Sequence, residues 1–250
     1  MAPIVEISCA SVDDAVAAER GGAARIELCS ALSLGGLTPS LGTLIATLRR
    51  VRIPVATMLR PRAGGFCFSA AEFETMQRDC ELFLHNGANG VVFGILRDNG
   101  SVDLERCARL RATAGGTTAV FHRAFDVTLE PLRALDELIE LGFTRVLTSG
   151  QKPTALEGAE LIRQLIDRAR GRIEILPGAG VRPKNVAALI AQTGCTQVHL
   201  SARTSRRDNS TTGNPQIRFS ASGSECDFDH VDESMVRAVV EALAATPSSR

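Results

Sequence analysis

The chain has 250 residues, 44% of them apolar, and its 28 Lys and Arg are matched by 28 Asp and Glu. A domain this long buries roughly 70–75% of its unfolded surface, so its core needs no disulfide or structural metal. Zero net charge argues against nucleic acid or an anionic membrane as partner, and the absence of an 18-residue apolar run argues against a membrane span.

The first element predicted is a strand at Ile4–Cys9, preceded by Met1-Ala2-Pro3. With Glu6 in place of an apolar h-region and no basic n-region, this start does not read as a signal peptide, and the cytosol is the expected location. Further β-rich runs follow at residues 25–29, 55–60, 90–96, 118–123, 145–149, 173–177 and 197–201, their starts between 21 and 35 residues apart. Helical patterns fill the intervals. Leu132, Leu135, Leu138 and Ile139 share one face, as do Ile162, Leu165 and Ile166, and finally Val236, Val239, Val240 and Leu243. Ser11 with Asp14 and Ser69 with Glu72 read as helix starts, while Gly87, Gly142 and Gly194 are placed to end helices.

Eight strand–helix alternations admit a doubly wound sheet or a closed (β/α)8 TIM barrel. The even spacing, the count of eight and the lack of G-x-G-x-x-G after the first strand favour the barrel, as a single domain over residues 1–250. Residues 202–230, rich in Ser, Thr, Asn, Arg and Gly, read as a long polar loop excursion before the last helix. Residues 246–250 read as a frayed tail.

Every second strand residue of a barrel faces the lumen. Glu6, Glu27, Arg60, His122 and His199 stand out as ionisable groups in otherwise apolar strands, expensive unless paired or used. Together with Asp126 they suggest an acid–base pocket at the C-terminal rim, with His122 or Glu27 moving protons and Arg60 stabilising charge. An ion-pair network of purely structural purpose is the alternative. Arg62, Gly178, Gly180 and Ser201 lie in rim loops suited to an anion, the glycine turn opening a helix as phosphate-binding turns do. His85 and His230 are expected to be structural.

Several phrases closely resemble one family: Arg25-Ile26-Glu27-Leu28-Cys29-Ser30, Gly35-Gly36-Leu37-Thr38-Pro39-Ser40, Arg60-Pro61-Arg62, Phe121-His122-Arg123-Ala124-Phe125-Asp126 and Arg145-Val146-Leu147-Thr148-Ser149-Gly150. Their order and wording are similar to the copper-homeostasis CutC proteins, from the first strand to about Ser201. The resemblance implies a (β/α)8 barrel, cytosolic copper handling and Cu(I) held by cysteine thiolates. Soft thiolates do suit that ion. Of seven cysteines, none in a C-x-x-C pair, Cys29 with Cys9 or Cys67 lies nearest the expected rim. The family's first strand commonly reads Glu, aliphatic, Cys; here the third position is Ser8 and the thiol follows at Cys9, which alternation turns to the other face. Cys80 and Cys107 fall in helices as core residues, and Cys195 and Cys226 follow no pattern.

Two functions stay open at this point: a Cu(I)-binding protein, and an enzyme acting on a small anionic or phosphorylated substrate. A contact surface for a protein partner on the polar excursion is a third, and pairing of barrels through their helices would give a homodimer.

Overall fold

A computed structural model describes residues 4–214, 216–218 and 226–245. Eight strands alternate with helices: β1 (Ile4–Cys9), α1 (Val12–Arg20), β2 (Arg25–Leu28), α2 (Leu41–Leu48), β3 (Val55–Met58), α3 (Ala70–His85), β4 (Gly90–Phe93), α4 (Leu104–Ala114), β5 (Thr118–Phe121), α5 (Pro131–Glu140), β6 (Arg145–Thr148), α6 (Ala159–Ala169), β7 (Glu174–Pro177), α7 (Val186–Thr193) and β8 (Gln197–Leu200). A hairpin of β9 (Arg203–Arg207) and β10 (Asp227–Val231) precedes the last helix, α8 (Glu233–Ala244). The expected frayed tail lies outside the described residues.

Seven parallel ladders join β7-β6-β5-β4-β3-β2-β1-β8 in that order, giving a nearly closed (β/α)8 barrel. The eighth junction is different. β7 and β8 lie side by side without a ladder, and the Gln197 side chain donates to the Ile175 carbonyl across the seam at 3.4 Å. β1 and β7 end at the predicted residue, and the other six strands end one to three residues short of it, because the chain peels into rim loops there.

Alternation sorts the strand residues into two cores. Val5, Ile7, Cys9, Ile26, Leu28, Val91, Phe93, Val146 and Val198 pack outward beneath the helices. Ala56, Met58, Val92, Val120, Leu147 and Leu176 fill the lumen with Cys29. The helices begin as the sequence suggests. Ser11 accepts from the Asp14 amide at 3.0 Å, and Ser69 with Glu72 forms a full capping box that satisfies two otherwise orphaned donors.

The described part of the polar excursion is more ordered than a loop. Asp227–Val231 pairs antiparallel with Arg203–Arg207, and Asp14 anchors the hairpin by accepting from the Val231 amide at 2.8 Å. Its residues are largely exposed, so backbone pairing holds it rather than an apolar face, and no hydrophobic alternation announces it. Among the described residues no helix is long and apolar enough to cross a membrane.

Candidate functional site in the barrel lumen

The polar side of the lumen is built by three adjacent strands. β8 contributes Gln197 and His199, β1 contributes Glu6 and Ser8, and β2 contributes Arg25 and Glu27, all on the inward parity. Glu6 stands opposite His199 and Arg25 in register, and Ser8 stands opposite Glu27, one layer nearer the mouth.

Glu6 is buried and fully partnered. One oxygen lies 2.9 Å from Nδ1 of His199; the other accepts from Nε of Arg25 and lies 3.4 Å from Nη1 of Arg145. Arg145 also binds Glu174 at 2.7 Å, and Arg25 binds Gln197. Burial pushes the Glu6 carboxyl up, but the His199 hydrogen bond and the three nearby positive charges outweigh it and hold the pKa at about 2. His199 answers in kind. Burial disfavours its charged form, yet Glu27 and Glu6 together raise its pKa above the ordinary imidazole value.

Glu27 is the opposite case. It is buried, its Oε1 has no hydrogen-bond partner, and its Oε2 lies 3.9 Å from Nε2 of His199, beyond hydrogen-bond reach. Burial dominates, the His199 charge opposes it only in part, Glu6 adds a smaller repulsion, and the carboxyl is pushed up to about 7. A buried carboxyl poised near neutrality beside an imidazole is a competent acid–base pair.

The other nominated groups do not join this trio. The Arg60 guanidinium donates to the carbonyls of Leu34 (2.9 Å), Gly36 (3.1 Å) and Gly64 (2.8 Å), stapling the loops after β2 and β3, and lies over the Phe66 ring. His122 meets the other side of that neighbourhood, its ring 5.0 Å from Phe66. Its Nδ1 accepts from the Ala124 amide while burial, and then Arg60, depress its pKa to about 3, so it is a neutral cap on the short 3-10 helix Arg123–Val127 that follows β5. Asp126 accepts from the amide and hydroxyl of Ser149, from Thr148 and from Arg123, which fastens the loop after β6.

The nominated anion loop is also engaged. Arg62 pairs with Glu72 and with the carbonyls of Gly65 and Cys67. The Gly178 amide donates to Thr148, and a Cβ on Gly178 would lie 2.7 Å from Leu147 and 3.3 Å from His199. Glycine is required there by close approach to the lumen wall. Gly180, at φ +71°, gives its carbonyl to Asn185 and packs on Thr154. Ser201 is half-buried just past β8.

The thiols divide cleanly. Cys29 faces the lumen, where a Cβ placed on Gly36 would lie 3.6 Å from its sulfur and 3.6 Å from the Met58 methyl. Cys9 belongs to the layer beneath the helices, and Cys67 is exposed. Burial raises both Cys9 and Cys29 well above the ordinary thiol pKa. None of the seven cysteines is joined in a disulfide.

The profile of the CutC family matches residues 3–204. This chain belongs to the CutC family. It is 54% identical over 215 residues to a CutC family protein of Treponema denticola, covering 86% of this chain and 87% of that one. It is 46% identical over 219 residues to the human copper homeostasis protein cutC homolog, covering 88% and 80%. The crystal structure of CutC from Streptococcus agalactiae superposes with a TM-score of 0.76 at 32% identity, covering 80% of this chain and 98% of that one. Phosphoribosylanthranilate isomerase of Thermotoga maritima, at 13% identity and TM-score 0.57, shares the fold alone.

Within this CutC chain the first-strand departure acquires a structural meaning. Ser8, not Cys9, occupies the lumen position beside Glu27, so the thiol after it lies on the wrong face to meet Cys29. The inward parity that found Glu6 and Glu27 also marks Arg25 and Gln197, two residues earlier on their strands, and Arg145 at the start of β6. None was singled out from the sequence, because a polar residue at a strand's first position reads as a loop boundary.

Proposed function

We propose that this protein serves copper homeostasis, in the sense carried by the names of its mouse and human relatives, and that it takes Cu(I) at Cys29. The observation that carries this reading is the position of Cys29: of the three nominated thiols it alone lines the lumen, beside the thioether residue Met58. Thiolate and thioether are the soft donors Cu(I) prefers. The ion must displace a firmly held proton from Cys29, so binding weakens as pH falls. A reducing cytosol would keep all seven cysteines as thiols and is the setting proposed for it.

Titration of the reduced protein with Cu(I) against a competing chelator tests this. Near-stoichiometric binding is expected, lost in Cys29→Ser and weakened in Met58→Leu, with Cys9→Ser and Cys67→Ser unchanged. Wild-type affinity in Cys29→Ser refutes it.

A second reading, an enzyme moving protons on a small substrate, is favoured by Glu27 and His199. Because Arg62 and the Gly178 amide spend their donors within the protein, and the terminal nitrogens of Arg60 are given to backbone carbonyls, this reading does not require a phosphorylated substrate. A thermal-shift screen of small carboxylate, carbonyl and phosphate compounds, repeated with Glu27→Gln, tests it; a shift that persists in the variant counts against it.

A further inference from the structure

We propose that Glu27 and His199 bind a divalent cation of the Zn2+ kind in the middle of the lumen, with Glu6 as the outer carboxylate that orients the imidazole. The site is distinct from Cys29 and independent of the copper reading. Among the described residues, Glu6, Glu27 and His199 form the only group of three or more His, Cys, Asp or Glu whose ligand atoms all lie within 4.8 Å of one another. All three are buried.

The geometry assigns the roles. The 2.9 Å contact between Glu6 and Nδ1 of His199 places the Nδ1 proton toward Glu6, leaving Nε2 directed at Glu27 as the ligand nitrogen. Such carboxylate–histidine–metal relays are how proteins fix a ligating ring. The 3.9 Å from Nε2 to Oε2 is too long for a hydrogen bond but is spanned by one ion with bonds of about 2.0–2.2 Å to nitrogen and oxygen.

A second observation points the same way. Oε1 of Glu27 is buried with no donor, although buried polar atoms are nearly always paired. Among the described residues no guanidinium hydrogen-bonds it: Arg60 serves backbone carbonyls, while Arg25 and Arg145 bind the far oxygen of Glu6. A cation is the partner this carboxylate lacks. Imidazole with carboxylate selects Zn2+ or its neighbours over Cu(I), which wants sulfur. Ser8, paired with Glu27 in register, lies on the same lumen face.

The test uses the full chain, stripped of metal by chelator and titrated with Zn2+ against a chromophoric competitor. One ion per chain is expected. Glu27→Gln and His199→Asn should each weaken it by at least about tenfold, since even outer-shell changes cost about 10–100-fold. Cys29→Ser should leave it unchanged. Co2+ in place of Zn2+ should give visible ligand-field bands without a thiolate charge-transfer band. Circular dichroism checks that each variant is folded, and Glu27→Asp, which retracts the carboxylate, must also weaken binding. Failure of the folded wild type to bind Zn2+, wild-type affinity in folded Glu27→Gln, or a thiolate band abolished by Cys29→Ser would each overturn the proposal. Loss of Cu(I) binding alone, with Zn2+ retained, would refute the copper reading and spare this one.

Discussion

Glu6 and Glu27 occupy adjacent strands one lumen layer apart, and both are buried, yet their carboxyls are driven in opposite directions, to about 2 and about 7. Depth is common to both, so neighbours make the difference. Glu6 sits among Arg25, Arg145 and His199; Glu27 has His199 alone, beyond hydrogen-bond reach, and a repelling Glu6. The lower layer is therefore an ionic plug that holds strands together. The upper layer is a poised group held by nothing, which is where chemistry is to be sought.

The largest expected effect breaks the plug. Glu6→Ala leaves two guanidiniums and an imidazole without their buried counter-charge, and should destabilise the fold by about 3–5 kcal/mol in urea unfolding. A loss below about 1 kcal/mol would mean water already screens the cluster. In pH, the Glu6 contribution is present above the unfolded carboxyl value of 4.5 and is lost as pH falls toward about 2.

Glu27 carries the opposite sign. Its folded pKa of about 7 exceeds the unfolded 4.5, so its protonated form favours the fold, and that stability is lost as pH rises from 4.5 to about 7. In metal-free protein Glu27→Gln removes this loss, worth roughly 3 kcal/mol at one pKa unit per 1.36 kcal/mol. Denaturant midpoints of the two proteins from pH 4 to pH 8 should diverge, the variant being the more stable at pH 8. Parallel curves would put Glu27 in the same class as Glu6.

Arg60 sharpens the contrast at the mouth. Arg60→Lys keeps the charge but cannot reach three carbonyls on two loops, and should cost about 1–3 kcal/mol. Proteolytic cutting should rise in the loops after β2 and β3. Smallest is Ser69→Ala, at about 1 kcal/mol for a lost helix cap, leaving the pH response of both carboxylates untouched.

Strand spacing made the barrel legible, because each β run is short, apolar and separated by an amphipathic helix. Alternation likewise exposed Glu6, Glu27 and His199, since a charge inside an apolar run has few uses. What could not be read was which arginine meets which carboxylate. Arg60 lies on the correct face, but its length carries it to loop carbonyls, whereas Arg145 reaches Glu6 from across the lumen, a pairing set by barrel closure rather than by sequence proximity. The hairpin of β9 and β10 was unreadable for another reason. Its strands bury almost nothing, so no hydrophobic period marks them.

Seven junctions of the barrel are fastened by backbone ladders, but between β7 and β8 one glutamine side chain spans the gap. That makes the junction the natural place for the cylinder to breathe. Edge amides along β7 and β8 should take up deuterium before those of the other six strands, and His199 rides on one of the two parting walls. Solvent or a small ion would then enter the sealed middle level from the flank, leaving the loops pinned by Arg60 undisturbed.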